Sequence, residues 1–290
     1  VLGTTACGKS GLGVELAKRF DGEIVSADSR QVYKGLDLGT GKVTEEEMEG
    51  VPHHMLDVVE PNQPYSVADF QAGAYAAIDD ILARGRTPFL VGGTGLYVRA
   101  VTEGFTFTDA RPDPALRAEL EGKTTEELYA LLREKTGVTL TGGEENNRHR
   151  LMRSVEKALS GRWESPPPCP RYDCLLLGVT FPREEVCRRI DARLQARIDA
   201  GMLDEVAELR ANGATDEFLE GLGLEYRYIL RYLTGQIPTL DGLKDELGRA
   251  IKRFAKRQMV WFKKDRDVLW LDMEGDFLTQ AVRAVEGFLA

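Results

Sequence analysis

Apolar residues in this chain gather in short runs, separated by longer stretches in which they recur every three or four positions. The runs Glu23–Ala27, Pro88–Val91, Leu175–Phe181 and Val268–Leu271, with Val1–Leu2 as a fifth, read as strands. Four of the five are apolar almost throughout rather than alternating, as parallel strands covered on both faces must be. Helical periodicity fills Lys9–Phe20, Val67–Arg84, Arg183–Ala200 and Leu240–Trp261. Strand and helix in alternation predict an α/β fold: a parallel sheet flanked by helices.

The rhythm breaks between about Phe105 and Arg162. That stretch is polar, has no convincing strand, and predicts helices near Pro114–Glu121, Thr125–Lys135 and Asn146–Leu159. The proline run Ser165-Pro-Pro-Pro-Cys-Pro170 then leads, as a stiff linker, back to the strand at Leu175. The expected organisation is an α/β core made of residues 1–104 and 169–290. A small all-helical insertion, residues 105–168, interrupts it.

Composition narrows the class. At 290 residues, with 42% hydrophobic and 29% charged residues, the chain is long enough for about two ordinary globular domains. No apolar run approaches the roughly 18 residues a membrane helix needs. Basic residues number 38 against 47 acidic ones, a net charge of −9, which excludes coating nucleic acid by bulk charge but not a local basic face. Cys7, Cys169, Cys174 and Cys187 are too few for a disulfide scaffold and lack zinc-site spacing, so reduced thiols in the cytosol are expected. No signal-peptide pattern is read at Val1-Leu2-Gly3, which lacks Met; the first strand is expected to extend further upstream. Nothing suggests a large apolar patch, and a monomer is the default.

Chemistry enters at Gly3-Thr4-Thr5-Ala6-Cys7-Gly8-Lys9-Ser10, which fits the phosphate-binding pattern G-x-x-x-x-G-K-[ST] and lies between a strand and a helix. Glycines let backbone N–H groups turn toward phosphate oxygens, and the helix start adds positive potential. Lys9 would reach the outer phosphate and the Ser10 hydroxyl would ligate Mg²⁺. Asp28 ends the second strand and should face the same crevice, as a proton acceptor or a holder of a metal-bound water; a turn cap is its bland alternative. The third strand ends in Val91-Gly92-Gly93-Thr94-Gly95, where a nucleotide hydrolase would usually place a carboxylate. Thr94 is either a hydroxyl donor to a charged phosphate oxygen or a helix start.

Net charge hides a basic segment. Between Arg249 and Arg266 there are eight cations and one acid, Asp265, with Gln258, Trp261 and Phe262 interleaved. Cations for phosphates beside aromatic faces for bases suit an RNA contact, although a solvated helix face has the same composition. His53 and His54 lack a third ligand at useful spacing, so a hydrogen-bonding role is expected. The arginines of the Arg183–Arg197 segment pair mostly along the helix, with one or two able to reach the crevice.

Together these stretches resemble the tRNA dimethylallyltransferases. The resemblance rests on GTTACGKS at 3–10, EIVSADSRQVYKGLDLGTGK at 23–42, PHHMLDV at 52–58 and VGGTGLY at 91–97. AKRQMVWFKK at 255–264 and an R-x5-R-I-x2-R pattern from Arg183 complete it. It implies transfer of a dimethylallyl group from its diphosphate to N6 of the adenine beside the anticodon, with Mg²⁺. The insertion would clasp the anticodon stem-loop. It further implies that Gly3–Ser10, Arg183 and Arg193 hold diphosphate rather than ATP, that Asp28 is the base, and that Thr94 lies near the bridging oxygen. Contacts to tRNA fall by resemblance on Asp28, Ser29, Arg30, Gln31, Thr94 and Arg117. The remainder fall on His149, Arg150, Leu151, Met152 and Arg153, and on Lys256, Arg257, Gln258, Trp261 and Lys263. Two departures stand out: Asn147 where the family usually has Asp, and Gly223-Leu-Glu-Tyr-Arg227 where many members have Gly-Tyr-Lys-Glu; no site is assigned to the latter. The alternative readings are a P-loop small-molecule or nucleoside kinase, and a nonenzymatic RNA binder switched by its phosphate site.

Overall fold

A computed structural model describes residues 1–107, 113–140, 144–161 and 166–290, and the side chains of these except Pro114 and Glu144. Ser165, at the head of the proline run, lies outside them. In chain order the first elements are β1 (Leu2–Gly3), α1 (Lys9–Arg19), β2 (Gly22–Ser26), α2 (Glu45–Met48), β3 (His53–His54), α3 (Val67–Ala83), β4 (Thr87–Val91) and α4 (Gly95–Thr102). After the insertion come β5 (Leu177–Thr180), α8 (Arg183–Asp199), α9 (Met202–Ala211), α10 (Asp216–Leu222), α11 (Leu224–Leu233), α12 (Leu240–Phe262), β6 (Leu269–Asp272) and α13 (Phe277–Leu289). The chain forms two compact units, Val1–Glu103 with Pro170–Ala290, and Gly104–Cys169.

All strand pairs in the first unit are parallel, in the orders β3-β2-β4 and β1-β5-β6. A single parallel bridge, Leu2 to Gly92, joins the two sets. Alternate residues of each strand enter different cores. Ile24, Phe89, Val179 and Leu271 pack with α1 and α13, whereas Leu2, Val25 and Ala27 pack with α3 and α4. Both faces are therefore covered, which explains the unbroken apolar runs. A third core joins α8 to α12 around Tyr226, Ile229, Leu243 and Leu247. The short helices α9, α10 and α11 escaped the periodicity reading because each spans only two to three turns; α13, of 13 residues, escaped it too. Strand β3 is two residues long and is held by its pairing with β2 rather than by its own propensity.

Glu23 on β2 is a buried carboxylate. It accepts from Arg84 Nη2 at 2.9 Å, also meets Arg86, and lies 2.7 Å from His54 Nε2. His53 Nδ1 lies 2.8 Å from the Val51 carbonyl, so both histidines have the expected hydrogen-bonding role. Arg84 first, then His54 and Arg86, hold the Glu23 carboxyl well below its usual range. A depressed carboxylate stabilises the fold above its unfolded pKa, near 4.3, and that contribution is lost as acid protonates it. Glu23→Ala should lower stability by about 2 kcal/mol at neutral pH, a figure discounted because the arginines are partly solvated. A urea-midpoint shift smaller than a quarter of that would mean the cluster contributes little.

The second unit has α5 (Pro114–Glu121), α6 (Thr125–Thr136), a 3-10 turn (Glu144–Asn146) and α7 (Arg148–Leu159). Its own core is Leu120, Leu128, Leu132, Leu151 and Val155. Thr124 and Glu127 form a reciprocal N-terminal cap on α6, and Gly137 ends it in the left-handed region. Asn147 caps α7 by accepting from Arg150 N at 3.1 Å. The local job of the usual Asp thus survives without its charge.

Candidate functional site

The phosphate loop runs from the end of β1 to the start of α1. Gly8 has φ 79°, a left-handed turn that favours glycine, immediately before Lys9 begins the helix. Inside the loop Thr4 Oγ1 and Cys7 Sγ lie 2.8 Å apart and buried, while Lys9 Nζ donates to the Thr4 carbonyl at 2.7 Å. Helix α8 braces it from outside: Arg189 Nε donates to the Ala6 carbonyl at 2.8 Å and Arg193 to the Thr5 hydroxyl. Gln258 of α12 accepts from Thr5 N at 3.0 Å and donates to the Gly93 carbonyl at 2.8 Å. One side chain thus ties the loop after β1 to the loop after β4.

The facing wall comes from the ends of β2 and β4. Asp28 Oδ1 accepts from Arg30 N at 2.9 Å, closing a local turn that fixes its carboxylate. Thr94 Oγ1 accepts from Ser29 N at 3.0 Å, and Thr94 N donates to the Ala27 carbonyl at 3.2 Å. The hydroxyl proton points to Ser29 Oγ at 3.4 Å, a long contact that a ligand oxygen can replace. Gln31 is engaged at both ends, accepting from Ser26 Oγ at 2.9 Å and donating to the Gly41 carbonyl at 3.1 Å. A methyl group on Gly95 would stand 2.3 Å from the Trp261 ring, so only glycine allows α12 this close to α4.

Gly39, Thr40 and Gly41 form a third wall, and α9 holds the stretch that leads into it. Glu205 accepts N–H groups from Asp37 at 3.0 Å, Leu38 at 2.6 Å and Gly39 at 3.0 Å, plus the Tyr226 hydroxyl at 2.8 Å. Four donors on one carboxylate fix a glycine-containing loop that would otherwise move.

These walls enclose a cavity of about 560 Å³, within the range of small-ligand sites. Lys9, Arg30, Arg193, Arg197, Arg227 and Arg257 line it against two carboxylates, Asp28 and Glu225. Burial pushes Lys9 down to about 8, and Arg193 beside it adds to the fall. Burial likewise pushes Arg193 down to about 10 and lowers Arg30 and Arg197. Cations desolvated this far carry a cost that an incoming anion relieves. An acidic protein has here built a strongly positive cavity.

Mg²⁺ fits this lining without a dedicated cage. Among the described residues no cluster of three or more His, Cys, Asp or Glu could hold a metal. The cavity does offer the Ser10 hydroxyl and the Asp28 carboxylate. A protein hydroxyl completed by substrate phosphate oxygens and waters suits Mg²⁺, which keeps several of its waters.

The structure brings Lys9, Ser10, Asp28, Ser29, Arg30, Gln31, Thr94, Arg193, Arg257, Gln258 and Trp261 to one cavity. It does not bring Arg183 there. That residue opens α8, exposed, and the cavity is reached only two to four turns later by Arg193 and Arg197. Lys256 on α12 and Lys263 just past its end stay exposed. In the insertion, Arg117 Nε bonds Glu156 at 2.6 Å, Arg153 pairs with the same carboxylate, and His149 and Arg150 are exposed. Leu151 is a correction: its side chain is fully buried in that unit's core and presents nothing to a partner, because α7 needs its apolar stripe for packing. Sequence reasoning missed Glu205 and Glu225 altogether, and left Arg197 undistinguished. The i, i+4 series Arg189, Arg193, Arg197 was the available signal, since such residues share a helix face.

Two family models match the chain, one described as IPP transferase over residues 31–265 and one as isopentenyl transferase over residues 1–60. A tRNA dimethylallyltransferase 2 of Shewanella sediminis is 43% identical, with 97% of this chain and 95% of the relative covered. A tRNA dimethylallyltransferase of Oceanobacillus iheyensis is 38% identical over 100% of this chain and 95% of its own length. Among solved structures, the tRNA isopentenylpyrophosphate transferase of Bacillus halodurans superposes with a TM-score of 0.74 at 37% identity, covering 99% and 93% of the two chains. A eukaryotic dimethylallyltransferase acting on tRNA gives 0.80 at 26% identity, covering 99% and 77%.

Proposed function

The chain belongs to the tRNA dimethylallyltransferase family, and from that premise we propose how its own residues prenylate tRNA. The donor is dimethylallyl diphosphate and the acceptor is N6 of the adenine beside the anticodon. The phosphate loop, Lys9 and Arg193 bind the diphosphate. N6 attacks the first carbon of the allyl group, the C–O bond to diphosphate breaks, and the displaced diphosphate carries away the electron pair. Asp28 takes the N6 proton. Thr94 donates its hydroxyl proton toward the bridging oxygen as charge grows there. Bound Mg²⁺, held by the Ser10 hydroxyl, would add charge stabilisation to the leaving diphosphate. The adenine must leave its stack to enter the cavity, whose lining includes the aromatic residues Trp261 and Phe254. The exposed cations of α12 and of the Gly104–Cys169 unit serve the RNA backbone.

One observation carries this reading: an anion cradle and Asp28, a carboxylate with no ion pair among the described residues, face one cavity. The loop after β4 supplies Gly92, Gly93 and Thr94 rather than the carboxylate a phosphoryl-transferring site would place there. Incubating the protein with radiolabelled dimethylallyl diphosphate, unmodified tRNA and Mg²⁺ should put label into tRNA, with ATP unable to substitute or compete. ATP consumption with unlabelled tRNA would instead identify a kinase.

The basic helix has its own test. Lys256→Ala with Arg257→Ala should weaken tRNA binding and reduce the slope of log affinity against log salt by about 1 to 2, one counterion per lost phosphate contact. An unchanged slope in filter binding would make this a merely solvated face.

A further inference from the structure

Glu225 is the one carboxylate of the cavity wall that the reaction above leaves without a task. It lies in the first turn of α11, and among the described residues its only hydrogen-bond donor is its own backbone N–H. Its side chain is partly buried, and burial pushes the carboxyl up while the Arg197 and Arg193 guanidiniums oppose that rise. The surroundings show what uses its charge. Beside the main cavity is a void of about 10 Å³ lined by Arg193, Arg197 and Glu225, with Ile190, Leu194, Met202 and Ile251 as apolar walls. That is about the least space that can hold one water. The same three charged side chains also line the main cavity, so they stand between it and the void.

Arg197 is held in place from its other side: a methyl group on Gly41 would overlap its guanidinium. Both arginine side chains are partly buried at the cavity wall, and their guanidiniums stay charged at any physiological pH. Glu225 and Asp28 are the two carboxylates of the cavity wall, and the charge of each favours the ionised form of both arginines.

We propose that Glu225 is an internal counter-ion to the Arg193–Arg197 pair, competing with diphosphate for those cations and so setting how tightly the leaving group is held after transfer. The inference rests on the reading of the cavity as a diphosphate site. Too much positive charge would retain the product and slow each cycle; a fixed carboxylate at the back of the pair prevents this without touching the substrate. Glu225 is thus a positioning and charge-setting residue rather than a catalytic one.

Calorimetric titration of inorganic diphosphate into the protein, with Mg²⁺, tests it. Glu225→Gln removes one negative charge at constant shape. It should tighten diphosphate binding about tenfold, because unit charges several ångströms apart in a partly desolvated site interact appreciably. In steady-state kinetics KM for the prenyl donor and the inhibition constant of diphosphate should fall together, and kcat should fall as release becomes limiting. Glu225→Asp should bring affinity back toward the wild type, which loss of folding or packing would not do. Unchanged or weaker diphosphate binding by Glu225→Gln, with the wild type binding normally, overturns the counter-ion role. A collapse of single-turnover chemistry at unchanged affinity also overturns it, and would make Glu225 a second base. Failure of the wild type itself to bind diphosphate would overturn the reading of the site, and this inference with it.

Discussion

Asp28→Asn lowers single-turnover prenylation by about 10² or more while tRNA affinity stays within about threefold. The asparagine oxygen can still accept from Arg30 N, as the carboxylate does at 2.9 Å, so the turn that shapes this wall is kept and only the proton acceptor is lost. Asp28→Ala removes both and should be slower still, with some loss of tRNA affinity because Ser29 and Arg30 are no longer fixed. The comparison separates chemistry from architecture. A rate for Asp28→Asn within fivefold of the wild type, at saturating donor and tRNA, would take the base role away from this residue.

Lys9→Ala should cost about 10³ in kcat/KM for the prenyl donor, since it removes a buried cation aimed at charge that grows as the C–O bond breaks. Binding of tRNA alone should change little, because Lys9 lies inside the cavity and donates to Thr4 rather than facing outward. The pH dependence provides a second readout. Burial places the Lys9 pKa at about 8 in the free protein, so the ammonium is present below that pH and is lost above it. A diphosphate restores a strong counter-charge and raises the pKa, so binding above about pH 8 should take up a proton. Titrations in buffers of different ionisation enthalpy should detect that uptake in the wild type, and Lys9→Arg, charged throughout, should abolish it. An equal uptake in both proteins would assign the proton to another group.

The parts legible in the sequence share a feature: each is encoded by residues close together along the chain. The phosphate loop declared itself because Gly8, Lys9 and Ser10 are neighbours, and their left-handed turn into a helix is a local matter. The same holds for the strands, whose apolar runs reflect two covered faces. It holds for helices such as α5, predicted at Pro114–Glu121 and observed there, with Asp113 capping it. Asp28 was legible too, since a residue at the carboxyl end of a parallel strand faces the crevice by topology. Arg183 was misjudged for the complementary reason. Arginines along one helix look alike in sequence, and which of them turn inward depends on how α8 is rotated against the loop.

What the sequence by itself determined, then, is the fold class, the anion cradle and the carboxylate opposite it. Only the tertiary structure decided which distant side chains complete the cavity. Gln258 meets Thr5 across 253 positions, Glu205 grips residues 37–39 across more than 160, and Glu225 lines one void with Arg193 and Arg197 from a helix that no periodicity marked. Local pattern fixes the backbone's conformation and the direction a strand or helix presents. The rotation and approach of one packed helix against another depend on the sum of many small, nondirectional contacts over the whole core, and no short stretch of residues contains that sum.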